Sequence, residues 1–461
     1  MASSLDPANV SAVFKAYDVR GTVPDQVDED LARATGRAFV EVLGGPQGPV
    51  RRIVVGHDMR PSSPSLARAY ADGANEAGAD VVMIGLCSTD QLYFASGHLG
   101  LPGVMFTASH NPAQYNGIKQ CRAFAAPVGM ESGLAEIRDR VLQGSAAGEQ
   151  RTGTIEEQET LDDYVDHLLG LAPVSGRPLK VVVDAGNGMA GHTAPAVFAK
   201  LPGIDLVPLY FDLDGSFPNH EANPIEPENL RDLQAKVRET GADVGLAFDG
   251  DADRCFLVDE RGELVSPSTL TALIAARELA KSPGSAVIHN LITSRAVPEI
   301  VSELGGTPVR TRVGHSFIKA TMAETDAVFG GEHSGHFYFR DFWRADSGML
   351  AALHAMAALA ETDGTLSALL APYERYPLSG EINSTVADQQ AVLEEIERAY
   401  ADREAVSFDR LDGLTVSTPD WSFNVRASNT EPLLRLNVEG KDTPTMEHLR
   451  DEVLAIIRKD T

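Results

Sequence analysis

The chain has 461 residues, 43% of them hydrophobic and 23% charged, with 66 Asp and Glu against 39 Lys and Arg and a net charge of −27. That length exceeds what one hydrophobic core supports, so three or four domains of ordinary globular composition are expected. So large an acidic excess repels nucleic acid and anionic membranes, and an anionic substrate would have to meet cations gathered locally.

In chain order, Phe14 to Gly21 comes first. Gly21 and Pro24 end it, which places Tyr17 and Arg20 in a surface turn. Residues 51–106 then alternate: strand Arg52–Gly56, helix Ser63–Ala79, strand Val81–Leu86, a short helix, and the apolar run Val104-Met105-Phe106. Short apolar runs separated by helical periods predict βαβ units. The last run opens into Thr107-Ala108-Ser109-His110-Asn111-Pro112. Strand ends of this kind are where open α/β sheets bind ligands. Ser109 is the candidate nucleophile, with His110 beside it and Lys119 ten residues on; a capped turn is the alternative reading.

A polar stretch from Gln143 to Glu159 reads as a linker. Strand Leu179–Asp184 runs into the glycine-rich Ala185–Gly191, which lacks nucleotide-loop spacing and reads as a tight strand-to-helix turn. Helix Glu228–Thr240 and strand Val244–Phe248 lead to Asp249-Gly250-Asp251-Ala252-Asp253-Arg254. Three carboxylates at alternate positions repel one another unless a hard cation holds them. The spacing resembles the start of an EF-hand loop, but a strand precedes it and Arg254 stands where the turn glycine belongs. Magnesium bridging a phosphate fits better.

A third αβ cycle follows: helix Thr269–Lys281, strand Ala286–His289, helix Ala296–Leu304, a helix opened by Val313-Gly314-His315, and strand Val328-Phe329. It ends in Gly330-Gly331-Glu332-His333-Ser334-Gly335-His336. Such a density of hydrogen-bonding side chains suits a polyhydroxylated ligand, with a metal on His333 and His336 as the rival reading. After Pro377 the register changes to strand Glu381–Val386, helix Ala391–Ala401, strands near 414–416, 423–425 and 434–438, and helix Met446–Ile457. Between the last two strands, Arg426-Ala427-Ser428-Asn429-Thr430-Glu431-Pro432 offers a guanidinium fork, hydroxyls and backbone amides to one phosphate, unless it is a plain hairpin loop.

Together, Tyr-Asp-Val-Arg-Gly, Thr-Ala-Ser-His-Asn-Pro, Asp-Gly-Asp-Ala-Asp-Arg, Gly-Glu-His-Ser-Gly-His and Arg-Ala-Ser-Asn-Thr-Glu-Pro closely resemble the α-D-phosphohexomutase superfamily, most of all its bacterial phosphomannomutase/phosphoglucomutase branch. The resemblance runs from Phe14 to Arg435. It implies an α/β fold of three similar αβ domains with mixed sheets and a smaller α+β C-terminal domain around a central cleft, with boundaries at 1–155, 156–262, 263–375 and 376–461. It also implies that Ser109 is a phosphoserine and that Asp249, Asp251 and Asp253 hold Mg2+ together with the serine phosphate. Glu332 and Ser334 would bind sugar hydroxyls, with His315 and Arg254 nearby. Arg426, Ser428, Asn429 and Thr430 would grip the non-reacting phosphate. Lys119 and His336 would transfer protons beside His110, with Tyr17 and Arg20 lining the site. Relatives often carry Lys where this chain has Ile292, and Met or Gln at the position of His333.

The implied activity interconverts hexose 6-phosphate and hexose 1-phosphate, of mannose and/or glucose, through a 1,6-bisphosphate that also serves as activator. Phosphoglucosamine mutase, a magnesium-dependent sugar phosphatase with Asp249 as nucleophile, and a non-catalytic phosphosugar-binding protein are the alternatives. Cys87, Cys121 and Cys255 are too few and too scattered for a disulfide framework or structural zinc. The N-terminus has no signal-peptide pattern, and Met349–Ala360 is too short to span a bilayer. A cytoplasmic monomer or homodimer is expected, acting on a small phosphosugar with neither nucleic acid nor membrane as partner.

Overall fold

Ile53, Val54 and Val55 are fully buried because strand Arg52–His57 lies inside a sheet, parallel to Asp80–Leu86 on one side and Gly103–Phe106 on the other. Parallel neighbours need crossover connections, supplied by helices Ser63–Glu76 and Thr89–Leu99. Gly103–Phe106 then pairs antiparallel with Tyr115–Arg122, which pairs antiparallel with Val19–Thr22. The computed structural model describes residues 5–44, 50–144, 153–427 and 433–459. They fall into two compact units, Met1–Ser266 with Ser334–Leu369, and Pro267–His333 with Leu370–Thr461.

Two readings of the sequence are corrected in the first unit. The Tyr17–Arg20 stretch is not a simple surface turn: Arg20 stands in a strand, opposite Gly117. The polar stretch after Gln143 is not wholly a linker, since Ile155–Glu157 joins the sheet as a parallel partner of Asp80–Leu86. Both strands are three or four residues long, too short to show a period. Helix Glu29–Gly44, which the sequence reading passed over, starts where Asp28 Oδ1 accepts the amide of Leu31 at 2.9 Å. It buries Leu31, Ala32, Thr35, Phe39 and Val40.

The second sheet of this unit runs Leu264–Val265, Cys255–Asp259, Val244–Phe248, Leu179–Asp184, Ile204–Leu209. All of Val244–Phe248 is buried, parallel to Leu179–Asp184 and antiparallel to Cys255–Asp259. The glycine-rich turn after Asp184 leads into helix Ala190–Ala199, as expected. The unit is completed by the antiparallel pair Phe337–Phe339 and Ala345–Asp346 and by the wholly buried helix Gly348–Ala360.

In the second unit, Ala286–Asn290 lies between Thr307–Thr311 and Phe329–Gly331, parallel to both. A five-stranded antiparallel sheet runs Leu378–Thr385, Leu433–Gly440, Trp421–Ala427, Leu414–Ser417, Ser407–Asp409. Alternate residues Phe423 and Val425, with Leu434, Leu436 and Val438, share a core with Leu449 and Val453 of helix Thr443–Ile457. This is the smaller C-terminal α+β domain of the expected fold class. Among the described residues, no helix is long and apolar enough to cross a membrane.

Candidate active site

Strand Gly103–Phe106 delivers Ser109 to the buried start of a loop, where the residue is 2% exposed. Its φ of 50° lies in the left-handed region, a conformation that costs free energy for a residue with a side chain and that clusters at functional sites. The loop holds it there: Ser109 N donates to Thr107 Oγ1 at 2.9 Å, and Asn111 N to Ala108 O at 2.9 Å. Gly250 approaches so closely that a Cβ on it would stand 2.4 Å from Ser109 O. No other residue type fits there.

Ser109 Oγ donates to Asp249 Oδ2 at 2.8 Å and lies 3.2 Å from His110 Nδ1. Arg254 Nη2 donates to that same ring nitrogen at 3.0 Å, so Nδ1 is an acceptor and His110 is neutral. Burial first, then the positive charges of Arg254 and Arg20, push its pKa well below the usual histidine value. Arg20 donates to Asn111 Oδ1 at 2.6 Å and Ala108 O at 3.3 Å, and pairs with Asp18. Tyr17 is half-buried beside Gly129.

Asp249, Asp251 and Asp253 are buried, and each offers an oxygen within 4.8 Å of the others. Burial, followed by repulsion from Asp253 and Asp251, raises the Asp249 carboxyl well above the usual carboxylate range. Asp253 goes the other way: burial would lift it, but Lys119, His336 and Arg254 outweigh burial and hold it well below. Lys119 Nζ donates to Asp251 Oδ2 at 2.7 Å and Asp253 Oδ2 at 2.6 Å. Burial alone would lower its pKa; the two carboxylates reverse that and keep it an ammonium. Thr89 fastens the loop, donating from Oγ1 to Asp251 Oδ2 at 2.6 Å and from its amide to Asp251 O at 3.0 Å.

Oδ1 of Asp251 and Oδ1 of Asp253 are buried without a hydrogen-bond partner among the described residues. Leaving buried carboxylate oxygens unmatched is costly. An all-oxygen set of this kind therefore fits a hard divalent cation with open positions. His336 Nε2 lies 3.5 Å from Asp253 Oδ1 and 3.9 Å from Asp346 Oδ2, and its Nδ1 is 3.1 Å from Ser334 Oγ.

The remaining candidates belong to the second unit. Glu332 is buried, and its Oε1 accepts from Gly314 N at 3.1 Å and from Asn290 Nδ2 at 3.4 Å. His315 is the first residue of helix His315–Thr325. Ile292 and His333 line one cleft of about 400 Å³ with Asn424 and Glu439, and burial lowers the pKa of His333. Arg426 is the next-to-last residue of strand Trp421–Ala427 and donates to Glu381 Oε2 at 2.9 Å, while Arg435 Nη1 lies 3.3 Å from Glu381 Oε1. Ser428, Asn429 and Thr430 lie outside the described residues.

Four residues beside these candidates escaped the sequence reading: Asp58 and Arg60, at the end of strand Arg52–His57, together with Thr89 and Asp346. An Asp-x-Arg just past a buried parallel strand was the available signal for the first two, since charges placed there end in the interior or at a ligand.

Sequence profiles for phosphoglucomutase/phosphomannomutase alpha/beta/alpha domains I, II and III match residues 11–147, 162–262 and 266–376, and the profile for the C-terminal domain matches 381–456. The chain is 43% identical over 450 residues to phosphohexose mutases of Xanthomonas campestris pv. campestris, an alignment covering 96% of this chain and 99% of that one. It is 40% identical over 457 residues to a phosphomannomutase of Escherichia coli K12, covering 97% and 99%. A crystal structure of a phosphoglucomutase/phosphomannomutase family protein from Burkholderia thailandensis superposes with a TM-score of 0.88 at 34% identity, covering 100% of this chain and 99% of that one.

Proposed function

Because the chain belongs to the phosphoglucomutase/phosphomannomutase family, and is therefore an intramolecular phosphotransferase, we propose that it interconverts the 1- and 6-phosphates of mannose and/or glucose through phospho-Ser109 and a hexose 1,6-bisphosphate. The observation that carries the assignment of roles is the 2.8 Å bond from Ser109 Oγ, on a backbone held at φ 50°, to the first carboxylate of the acidic loop.

In one half-reaction, a free sugar hydroxyl attacks the phosphorus of phospho-Ser109; the new P–O bond forms as the Ser109 Oγ–P bond breaks. The attacking hydroxyl must lose a proton and Ser109 Oγ must regain one. His336, flanked by Asp253 and Asp346, would accept the first. Lys119, kept as an ammonium, is suited to donating rather than accepting. Magnesium held by Asp249, Asp251, Asp253 and the serine phosphate would neutralise charge on the transferring phosphoryl oxygens. Glu332 and Ser334 would bind sugar hydroxyls with His315 and Arg254 nearby; Arg426, with Ser428, Asn429 and Thr430, would hold the phosphate that is not reacting. Tyr17, Arg20 and His110 would line the reacting end. A hexose 1,6-bisphosphate would prime unphosphorylated Ser109.

The test supplies mannose 1-phosphate, glucose 1-phosphate and glucosamine 1-phosphate with magnesium and a hexose 1,6-bisphosphate, and identifies products. Formation of mannose or glucose 6-phosphate, with one phosphate mapped to Ser109, is the expected result. Turnover of glucosamine phosphate alone would transfer the assignment to phosphoglucosamine mutase, and release of inorganic phosphate alone to a phosphatase.

A further inference from the structure

Asp58 and Arg60 take no part in the scheme above, yet both are completely buried, at 0% exposure. A guanidinium has five N–H donors and no acceptor, and every one of those on Arg60 is used. Nε donates to Asp58 Oδ2 at 3.2 Å. Nη1 donates to Pro112 O and Tyr115 O, each at 2.9 Å. Nη2 donates to Ser109 O at 2.9 Å and Asn111 O at 2.7 Å. Asp58 is fixed in turn, its Oδ1 accepting from Arg60 N at 3.0 Å and from Ser63 Oγ at 2.6 Å. The ring of Phe217 covers the guanidinium 5.2 Å from its centroid.

Four of the five bonds therefore end on main-chain carbonyls of 109–115, the loop that carries Ser109 in its left-handed conformation. The carbonyl of Ser109 itself is bonded by Arg60 on one side and crowded by the Gly250 backbone on the other. Carbonyl oxygens are also the groups that would repel an incoming phosphoryl oxygen, and here they are turned inward and neutralised. We propose that Arg60, set by Asp58 and covered by Phe217, is a positioning residue for phosphoryl transfer: it fixes the backbone of the nucleophile loop so that Ser109 Oγ is presented at one place. This rests on the reading of Ser109 as the phosphoryl carrier.

Lys keeps the charge but is a point donor that cannot span four carbonyls in a plane. Arg60→Lys is expected to lower kcat about 10²-fold, the scale on which misplacing a reacting group acts. KM for glucose 1-phosphate should stay within about threefold, because no sugar contact is lost. Incorporation of phosphate at Ser109 from glucose 1,6-bisphosphate should slow in parallel. A folded Arg60→Lys enzyme with wild-type kcat overturns the proposal, and so does one whose loss lies wholly in KM. Should Arg60→Lys fail to fold, Phe217→Leu decides: it leaves all five bonds but admits water to the guanidinium. A roughly three- to tenfold fall in kcat at unchanged KM supports the clamp, and an unchanged kcat refutes it. Ser109→Ala run alongside separates the two readings. If it stays active, the assignment of the nucleophile fails; if it is inactive while Arg60→Lys and Phe217→Leu behave as wild type, only the clamp fails.

Discussion

The loops around Ser109 and the strand end at Arg426 both gather charge, but they hold it by different means. At Ser109, Arg60 and the three aspartates are buried, and Lys119, its side chain 15% exposed, lies between two of those carboxylates; the partners are largely main-chain atoms or buried side chains, with Arg60 on four carbonyls and the Asp251 backbone held by Thr89. At Arg426, with its side chain 11% exposed, the partner among the described residues is a side chain, the Glu381 carboxylate at 17%, which Arg435 shares at 29%. A buried charge stripped of its partner is left uncompensated and is held accordingly; the Arg426–Glu381 pair, no more exposed than Lys119, differs in resting on one side chain that Arg435 also binds, rather than on main-chain carbonyls or two carboxylates. The first arrangement suits a place where chemistry requires fixed geometry. The second suits a cation that gives up one anion to take another.

The contrast breaks most visibly at the acidic loop. Asp251→Asn removes a carboxylate that Thr89 and Lys119 both bind, and should reduce kcat by about 10²- to 10³-fold while weakening magnesium binding, as loss of a group acting in the transition state does. Titration of magnesium against activity, with chelator as control, measures both; a variant fully active in chelator would make the loop a mere acidic turn. Next in size is Arg426→Ala. A charge-assisted bond to phosphate is worth roughly 1.5–3 kcal/mol, so KM for the hexose monophosphate should rise about ten- to a hundredfold, with phosphorylation of Ser109 preserved. Wild-type KM would leave Arg426 as part of a hairpin only.

Glu381→Gln sharpens the comparison from the other side. It removes the anion that competes for Arg426 and Arg435, and KM should fall about two- to fivefold, the scale of a side-chain ion pair with partial access to solvent. A rise in KM instead would mean that Glu381 aims the arginines rather than occupying them. The smallest effect concerns stability. Asp90 is buried, accepts from Tyr164 at 2.7 Å and Ser347 at 2.6 Å and from Ser88, and burial, opposed by these bonds, raises its pKa to about 6. A carboxyl raised in the folded state binds its proton more tightly there than when unfolded, so folding loses stability as pH rises from about 4 to about 6. Roughly two pKa units at about 1.4 kcal/mol each bound the effect near 3 kcal/mol. Relative to Asp90→Asn, the wild-type protein should therefore lose Tm between pH 4.5 and 7; parallel Tm-versus-pH curves would place Asp90 in the ordinary carboxylate range.

The parts of this molecule legible in the sequence are those where chemistry or periodicity is concentrated locally. The apolar runs ending at Phe106 and Phe248 identify buried strands, and the motifs that follow them lie together in the structure, Ser109 Oγ against Asp249. The strand Val19–Thr22 was not legible because its pairing with Tyr115–Arg122 is nearly a hundred positions distant and leaves no local period. Helix Glu29–Gly44 was passed over because its buried face mixes Thr35 and Gly36 with the apolar residues. Arg60 illustrates the same limit at the site. The Asp58-x-Arg60 pair after a buried strand signals an interior or ligand-facing charge, but only the fold reveals that carbonyls from 109 to 115 surround the guanidinium.

Those bonds have a consequence for the choice of sugar. With its carbonyl tied by Arg60 and its amide by Thr107, Ser109 is a stationary point, and the loop cannot lean toward one end of a ligand or the other. Under the mechanism proposed above, the bisphosphate would then do all the travelling between the two half-reactions, presenting C1 and C6 oxygens in turn to the same coordinates. What the protein has to tolerate is two poses, not two reaches. A hexose whose two ends lie at similar distances from the ring hydroxyls satisfies that requirement, and one bulky substituent that fits in only a single pose would halt the cycle after the first transfer.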